Sequence, residues 1–430
     1  MDRAPTNGAM VFDWAAAGPH RFTAPPVVMV NDETLRDGLQ SPSATDPPIG
    51  AKIEILHLMD ELGIDAAAVG LPGAGERQRQ AAELLCREIA ASRLRIRPNC
   101  AGRTIDVDVA PIAELSQRTG VAVEACLFIG GSPIRQYVEG WTVDTILRRL
   151  RGAIELAVRE GLEVMFVTED TTRSAPEHLR LFFTAAVEAG AKRLCLTDTA
   201  GAAIPEGALN LVAWARSLLD ELGVDVGIDW HGHRDRALDL ANTLAAIRGG
   251  ATRVHGTALG IGERTGNTPI EQILVNLKLL GLRDGDLSRL PDYAEAVSRA
   301  VGVPFAANTP IVGRDAFRTG TGVHAAAVIK AFAKGDHDLA DRVYSGVPAS
   351  WVGRRQEILV GPMSGASNVH HFLRAHGLPD DGGVVEAVLA RAKQSARVLT
   401  EEELLEVVRG FGAGELTVHP AQPVDALRQA

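Results

Sequence analysis

From residue 27 onward the chain alternates short, nearly continuous apolar runs with longer stretches in which apolar residues recur every three or four positions. The runs VVMVND (27–32), DAAAVGLP (65–72), LRIRPNC (94–100), VAVEACLFIG (121–130), EVMFVTED (163–170), RLCLTDTAG (193–201), DVGIDWHGH (225–233) and RVHGTALGIG (253–262) read as strands. Helical patterns separate them, among them IGAKIEILHLMDELG (49–63), a helix beginning near Val143, and PIEQILVNLKLLG (269–281). Strands apolar on both faces are expected where helices cover one face and a packed barrel interior lies behind the other. Gly63, Gly120, Gly190 and Gly223 sit where left-handed residues close helices. Eight strand–helix units predict an α/β fold, a closed (β/α)8 TIM barrel over 27–285. A doubly wound open sheet gives the same alternation but usually has fewer units.

After Gly281 the alternation stops. Residues 286–430 carry helical patterns joined by Gly/Pro-rich connections, and predict a mainly helical C-terminal appendage of small subdomains. Residues 1–26 read as an N-terminal extension or an arm on a partner subunit, and the tail ELTVHPAQPVDALRQA reads as weakly ordered.

Composition narrows the function. Hydrophobic residues make up 46% and charged residues 23%, as in ordinary globular proteins. A formal charge of −10 leaves no basic stripe to neutralise phosphates, so nucleic acid is not an expected partner. Cys86, Cys100, Cys126 and Cys195 are scattered without a CxxC pair, which favours buried thiols over a disulfide framework or zinc knuckle. No apolar run reaches the roughly 20 residues of a membrane span. The N-terminus lacks a signal-peptide pattern, and the cytoplasm is the expected compartment.

Candidate chemistry gathers at the strand ends, where this fold builds its sites. DETLRDGLQ (32–40) follows strand 1, His231-Gly232-His233 ends strand 7, and GIGERTGN (260–267) follows strand 8. Two histidines at i and i+2 on a strand share a face. Strands 1, 7 and 8 adjoin in a closed barrel, so Asp37 can join His231 and His233 around one divalent cation, with Asn267 as a fourth ligand or an orienting group. An isolated HxH is often merely structural; its place at the barrel mouth favours the metal. Glu169 and Asp170 end strand 5, and Thr197, Asp198 and Thr199 end strand 6. Thr171 and Ser174 read as helix N-caps.

The motifs TLRDGLQSP, TEDTTRS, LTDTAG, HGHRD and GIGERTGN, in this order, resemble the metal-dependent Claisen-condensing synthases that include 2-isopropylmalate synthase and homocitrate synthase. More weakly, GRDAFRTGTGVHAAAVIK and VYSGVPAS resemble the family's linker subdomains. The resemblance implies an acyltransferase joining acetyl-CoA, or a related acyl-CoA, to the ketone of a 2-oxo acid. It implies Mg²⁺ or Mn²⁺, with Zn²⁺ as a further candidate, and a homodimer in which the appendage reaches the partner's barrel. By the same resemblance Arg36 stabilises the developing alkoxide, Thr199 binds the substrate carboxylate, Glu169 is an active-site carboxylate and Gln40 lines the pocket. His324 resembles the family's base-associated histidine, with Tyr344 working beside it. Arg135, in PIRQYVEG, resembles an arginine that in homocitrate synthases pairs with the distal carboxylate of 2-oxoglutarate, and so implies an anionic 2-oxo acid; a surface helix residue is the plainer alternative.

Departures fall near the pocket. Leu39 stands where the family commonly has Glu, Arg234 where it has Asn, and residues 67–72 lack the family's acid. The chain's length implies that a C-terminal leucine-sensing domain is missing. The nearest rival is a carbon–carbon lyase resembling 3-hydroxy-3-methylglutaryl-CoA lyase. Those lyases carry a reactive cysteine after strand 8, and no cysteine follows Cys195 here. A barrel without catalysis, serving as a scaffold, is the rival from another class. The remaining histidines receive no role.

Overall fold

The eight apolar runs form eight parallel strands: β1 (Met29–Asp32), β2 (Ala66–Gly70), β3 (Arg97–Arg103), β4 (Glu124–Gly130), β5 (Glu163–Glu169), β6 (Arg193–Asp198), β7 (Gly227–Gly232) and β8 (Arg253–Gly256). In this computed structural model, which describes residues 10, 12–14 and 22–411, each strand pairs with the next. β1 also pairs with β8, through Asn31 and His255 among others, so the sheet closes into the expected barrel. The tail motif and most of the N-terminal extension lie outside the described residues.

Alternation along the strands sorts their side chains. Phe166 of β5, Leu194 and Leu196 of β6, and Ile228 and Trp230 of β7 are buried at even positions. The odd positions Met165, Val167, Cys195 and His231 instead line one cavity at the barrel's C-terminal mouth. That period of two is the pleat of the strands.

The barrel unit also contains helices α1 (Ile49–Glu61), α2 (Glu76–Ser92), α3 (Asp106–Thr119), the short α4 (Pro133–Glu139), α5 (Val143–Arg159), α6 (Pro176–Glu188), α7 (Pro205–Glu221), α8 (Asp239–Gly249) and α9 (Ile270–Leu279). In α5, Ile146, Leu150, Ala153, Ile154 and Ala157 are buried, the spacing of one apolar helix face. Its first turn is capped by Thr142, whose hydroxyl accepts from the Thr145 amide. Gly63, Gly120, Gly190 and Gly223 all have positive φ, as expected where helices close.

The expected caps at Thr171 and Ser174 are not formed. Helix α6 begins after Ala175 with Pro176 in its first turn and no side-chain cap. Proline brings no amide to satisfy there. Thr171 instead bonds Thr168 and the Thr197 amide, tying β5 to β6, while Ser174 donates to the Asp170 carbonyl.

Two compact units divide the chain: residues 1–285 with 292–304, and residues 286–291 with 305–430. Helix α10 (Leu290–Val301) brings Tyr293 into the barrel unit, where its buried phenol donates to Asp32 and meets the Thr34 hydroxyl. The second unit holds α11 (Gly322–Ala333), α12 (His337–Arg342), α13 (Ala366–Ala375), α14 (Gly382–Gln394), α15 (Glu401–Phe411) and a two-stranded parallel sheet of β9 (Arg318–Thr319) and β10 (Glu357–Ile358). Its main core gathers Val369, Leu373, Val388 and Leu404. Among the described residues no helix is long and apolar enough to cross a membrane.

Candidate metal centre at the barrel mouth

His231 ends β7, and His233 follows in an isolated bridge to Asn267. Asp37 lies in the turn after β1, with its Oδ2 3.1 Å from His231 Nε2 and 3.8 Å from His233 Nε2. Asn267 Nδ2 donates to the same Asp37 oxygen at 3.1 Å and stands 3.2 Å from His231 Nε2. All four side chains are buried. The three titratable ligand atoms lie within 4.8 Å of one another.

Electrostatics suits this group to a cation. Burial, then the neighbouring His231, lowers the His233 pKa to about 4, so its neutral imidazole offers a nitrogen lone pair at neutral pH. Burial alone would raise the Asp37 carboxyl, but Arg36 and His231 outweigh it and hold Asp37 well below the usual carboxylate range. One buried atom in the cluster, Asn267 Oδ1, lacks a partner among the described residues. Orphaned buried polar atoms are rare in folded proteins. One carboxylate, two imidazoles and an adjacent amide are a ligand set for a divalent ion with open positions.

The motif GERTGN folds so tightly that its glycines are required. Gly266 has φ +95°, and a Cβ there would run into the Gly260 carbonyl. This return brings Asn267 back to His233. Arg264 braces the loop by donating to the Thr199 carbonyl and to Asp235. Below it, the Leu259 amide donates to Glu271 Oε2 at 3.0 Å. Burial pushes the Glu271 pKa up to about 7 from an ordinary 4.5. The folded barrel therefore holds a proton that the unfolded chain has released, and stability falls as pH rises from about 4.5 to 7. Glu271→Gln should remove that penalty, raising stability at pH 8 by up to about 3 kcal/mol and changing little at pH 5. Thermal unfolding at the two pH values checks this; equal shifts at both would contradict it.

A cavity of about 280 Å³ opens over the cluster. Arg36, Gln40, Glu169 and Thr199 line it with Asp37, His231 and His233. Thr199 Oγ1 accepts from the Asp170 amide at 2.8 Å and meets the Thr197 hydroxyl at 2.9 Å. Burial raises the Glu169 carboxyl above its ordinary value, and Arg135 partly offsets it. Arg135 lies over Gly130, with Nη2 3.6 Å from Glu169 and 3.3 Å from Glu139, and its buried Nε has no partner among the described residues. His324 and Tyr344 belong to the second unit and stack on each other, ring centroids 4.1 Å apart.

Two further residues enter the site without an expectation from sequence. Glu33 takes both Nε and Nη2 of Arg36 on its Oε2, at 2.9 and 2.5 Å. His255 of β8 places Nδ1 3.2 Å from Glu33 and 3.4 Å from His231 Nδ1. Glu33, His231 and His255 form a second buried group with ligand atoms within 4.8 Å. Residue parity held the signal: 253 and 255 on β8 match 229 and 231 on β7, so His255 faces inward with His231.

A closed parallel barrel with a buried carboxylate–diimidazole cluster at its C-terminal mouth places the chain among TIM-barrel proteins with a candidate metal site. Residues 28–297 match the HMGL-like family, and the chain belongs to that family. It is 34% identical to the homocitrate synthase of Methanopyrus kandleri over 90% of this chain and 92% of that one. It is 31% identical to the homocitrate synthase of Pyrococcus abyssi, over 89% of this chain and 99% of that one. The (R)-citramalate synthase of Methanocaldococcus jannaschii is 29% identical over 89% of this chain and 74% of its own. In fold, the barrel resembles the HMG-CoA lyase of Bacillus subtilis, with a TM-score of 0.54 and 21% identity over 66% of this chain and 96% of that one. The chain is an enzyme.

Proposed function

We propose that the chain condenses acetyl-CoA, or a related acyl-CoA, with a 2-oxo acid, and that water then hydrolyses the thioester to release CoA and a 2-hydroxy-2-alkyl di- or tricarboxylic acid. The observation that carries the reading is the convergence of Asp37, His231 and His233 beside the Arg36 guanidinium. Those three would hold a divalent cation, Mg²⁺ or Mn²⁺, with Asn267 as fourth ligand or orienting amide; when bound, the ion supplies Lewis-acid polarisation of the 2-oxo acid's ketone. Arg36 faces the alkoxide that forms from that ketone, and being tied to Glu33 it needs no reorganisation as charge develops. The Thr199 hydroxyl donates to the substrate carboxylate, and Glu169 and Gln40 complete the pocket wall. His324, with Tyr344 stacked on it, serves the removal of a proton from the acyl methyl, reaching the barrel from the partner in a homodimer.

Arg135 supports an anionic 2-oxo acid: its half-exposed guanidinium stands 3.6 Å from Glu169 of the cavity wall, where it can pair with a second carboxylate. The apolar lining of Leu71, Ala101, Phe128 and Val167 favours a short aliphatic 2-oxo acid as the second reading. A lyase reaction is disfavoured because burial raises the pKa of all four cysteines, Cys86 to about 12, leaving no activated thiol.

The test is CoA release from acetyl-CoA with Mg²⁺ or Mn²⁺ against a panel of 2-oxo acids. Turnover with 2-oxoglutarate or another anionic acid, reduced roughly tenfold or more in kcat/KM by Arg135→Ala, is the expected result. Preference for 2-oxoisovalerate, unchanged in Arg135→Ala, would select the aliphatic reading, and no release with any acid would reject the condensing enzyme.

A further inference from the structure

Below the cluster runs a line of buried and largely buried charged groups, of which the proposed chemistry uses only the Glu33–Arg36 end. Asp229 of β7 lies two residues before His231, on the same inward face, and accepts from the Nε atoms of Arg193 and Arg253, both at 2.5 Å. Arg253 also donates to Glu124 at 2.7 Å. Above Asp229, the Nε2 of His255 stands 2.8 Å from its Oδ2. His255 Nδ1 then faces both Glu33 and His231, and Glu33 grips Arg36. The other Glu33 oxygen accepts from Asn31 at 2.8 Å, and Asn31 accepts in turn from Asn99 at 2.6 Å. Side chains on β6, β7 and β8 and in the turn after β1 thus form one continuous line of polar contacts that ends at the barrel mouth.

We infer that Asp229, His255 and Glu33 are positioning residues, a buried arm on which His231 and Arg36 are held in register with Asp37. The inference rests on reading the mouth as a metal-assisted condensing centre. Stability alone does not call for such an arm. Branched aliphatic side chains ordinarily fill a barrel interior, and replacing buried ion pairs with apolar groups is often neutral or stabilising. Direction is what the arm adds. A metal-binding imidazole needs its outer nitrogen held. At His231 that nitrogen faces His255, whereas at His233 the outer nitrogen has no partner among the described residues. His255 cannot swing away while Asp229 holds its far nitrogen, and two arginines from β6 and β8 hold Asp229. Glu33 does the same for Arg36 with a two-point grip that fixes the plane of the guanidinium.

Two variants of the full chain separate the arm's two ends. After chelation of bound metal, titration calorimetry with Mn²⁺ should show affinity weakened 10- to 100-fold in His255→Gln and within about threefold of the unsubstituted protein in Glu33→Gln. In the condensation assay, Glu33→Gln should lower kcat roughly 100-fold while KM for the 2-oxo acid stays within about threefold, the pattern of a group acting on the transition state alone. Unaltered Mn²⁺ affinity in His255→Gln, or unaltered kcat in Glu33→Gln, overturns the inference. So does binding of two Mn²⁺ per chain with the second lost in His255→Gln, which would make Glu33, His231 and His255 a metal site. If His255→Gln does not fold, His255→Asn carries the same titration. If the unsubstituted protein releases CoA with no 2-oxo acid, the condensing reading fails, and the Mn²⁺ titration still decides whether His255 positions His231.

Discussion

Replacing His231 by alanine is expected to abolish turnover while leaving the barrel folded. The side chain stands at the end of β7, on the cavity wall, and gives its Nε2 to the Asp37 cluster. Removing it takes away one of three ligands and the group through which His255 reaches that cluster. Lewis-acid stabilisation is worth several kcal/mol, so a loss of at least about 10³-fold in kcat/KM is expected with Mn²⁺ present. The fold should survive because Ile228 and Trp230, on the opposite face of the strand, carry the packing. CoA release and far-UV circular dichroism on one preparation check both halves. Collapse of the fold would show that His231 serves structure, and retained turnover would reject the cation site.

Asp229→Ala should do the reverse, striking stability first. The carboxylate is fully buried, and Arg193, Arg253 and His255 hold it well below its ordinary pKa against the cost of burial. Truncation leaves two guanidinium groups facing an empty space. Removing one partner of a buried ion pair typically costs about 3–5 kcal/mol. Arg253 keeps Glu124 and Arg193 keeps Thr252, so the lower half of that range is expected. Asp229→Asn retains an acceptor and should lose less. Urea unfolding of the two variants checks the order; a loss under about 1 kcal/mol for Asp229→Ala would mean that water or a shifted side chain compensates.

The barrel was legible because its signal repeats: eight apolar runs, each followed by a helical period, leave little else to build. The ligand set was legible for a local reason, since HxH at a strand end fixes two imidazoles on one face. Asn267 and Asp37 followed from adjacency of the strands whose loops carry them. Glu33 and His255 escaped because a single acid beside a strand end, or a single histidine within an apolar strand, looks like many others. Their meaning appears only when strand parity is compared across β7, β8 and β1. Thr171 and Ser174 misled for the opposite reason: residues of cap type lay at a cap position, but Pro176 removed the need and the Thr171 hydroxyl was drawn into the bonds between β5 and β6. The pairing of His324 with Tyr344 had no local pattern behind it at all, only likeness to relatives.

The loop after β8 carries Asn267, and its brace is a half-exposed guanidinium, Arg264, held against the partly exposed Asp235. Asp37 and His231 are shielded from solvent, but this strut is not. Dissolved ions therefore act unevenly on the four candidate ligands, because counterions weaken an exposed ion pair far more than a buried one. In brine the amide would be the first to drift while the carboxylate and imidazoles stayed in place, so the grip on a cation would loosen from one side only.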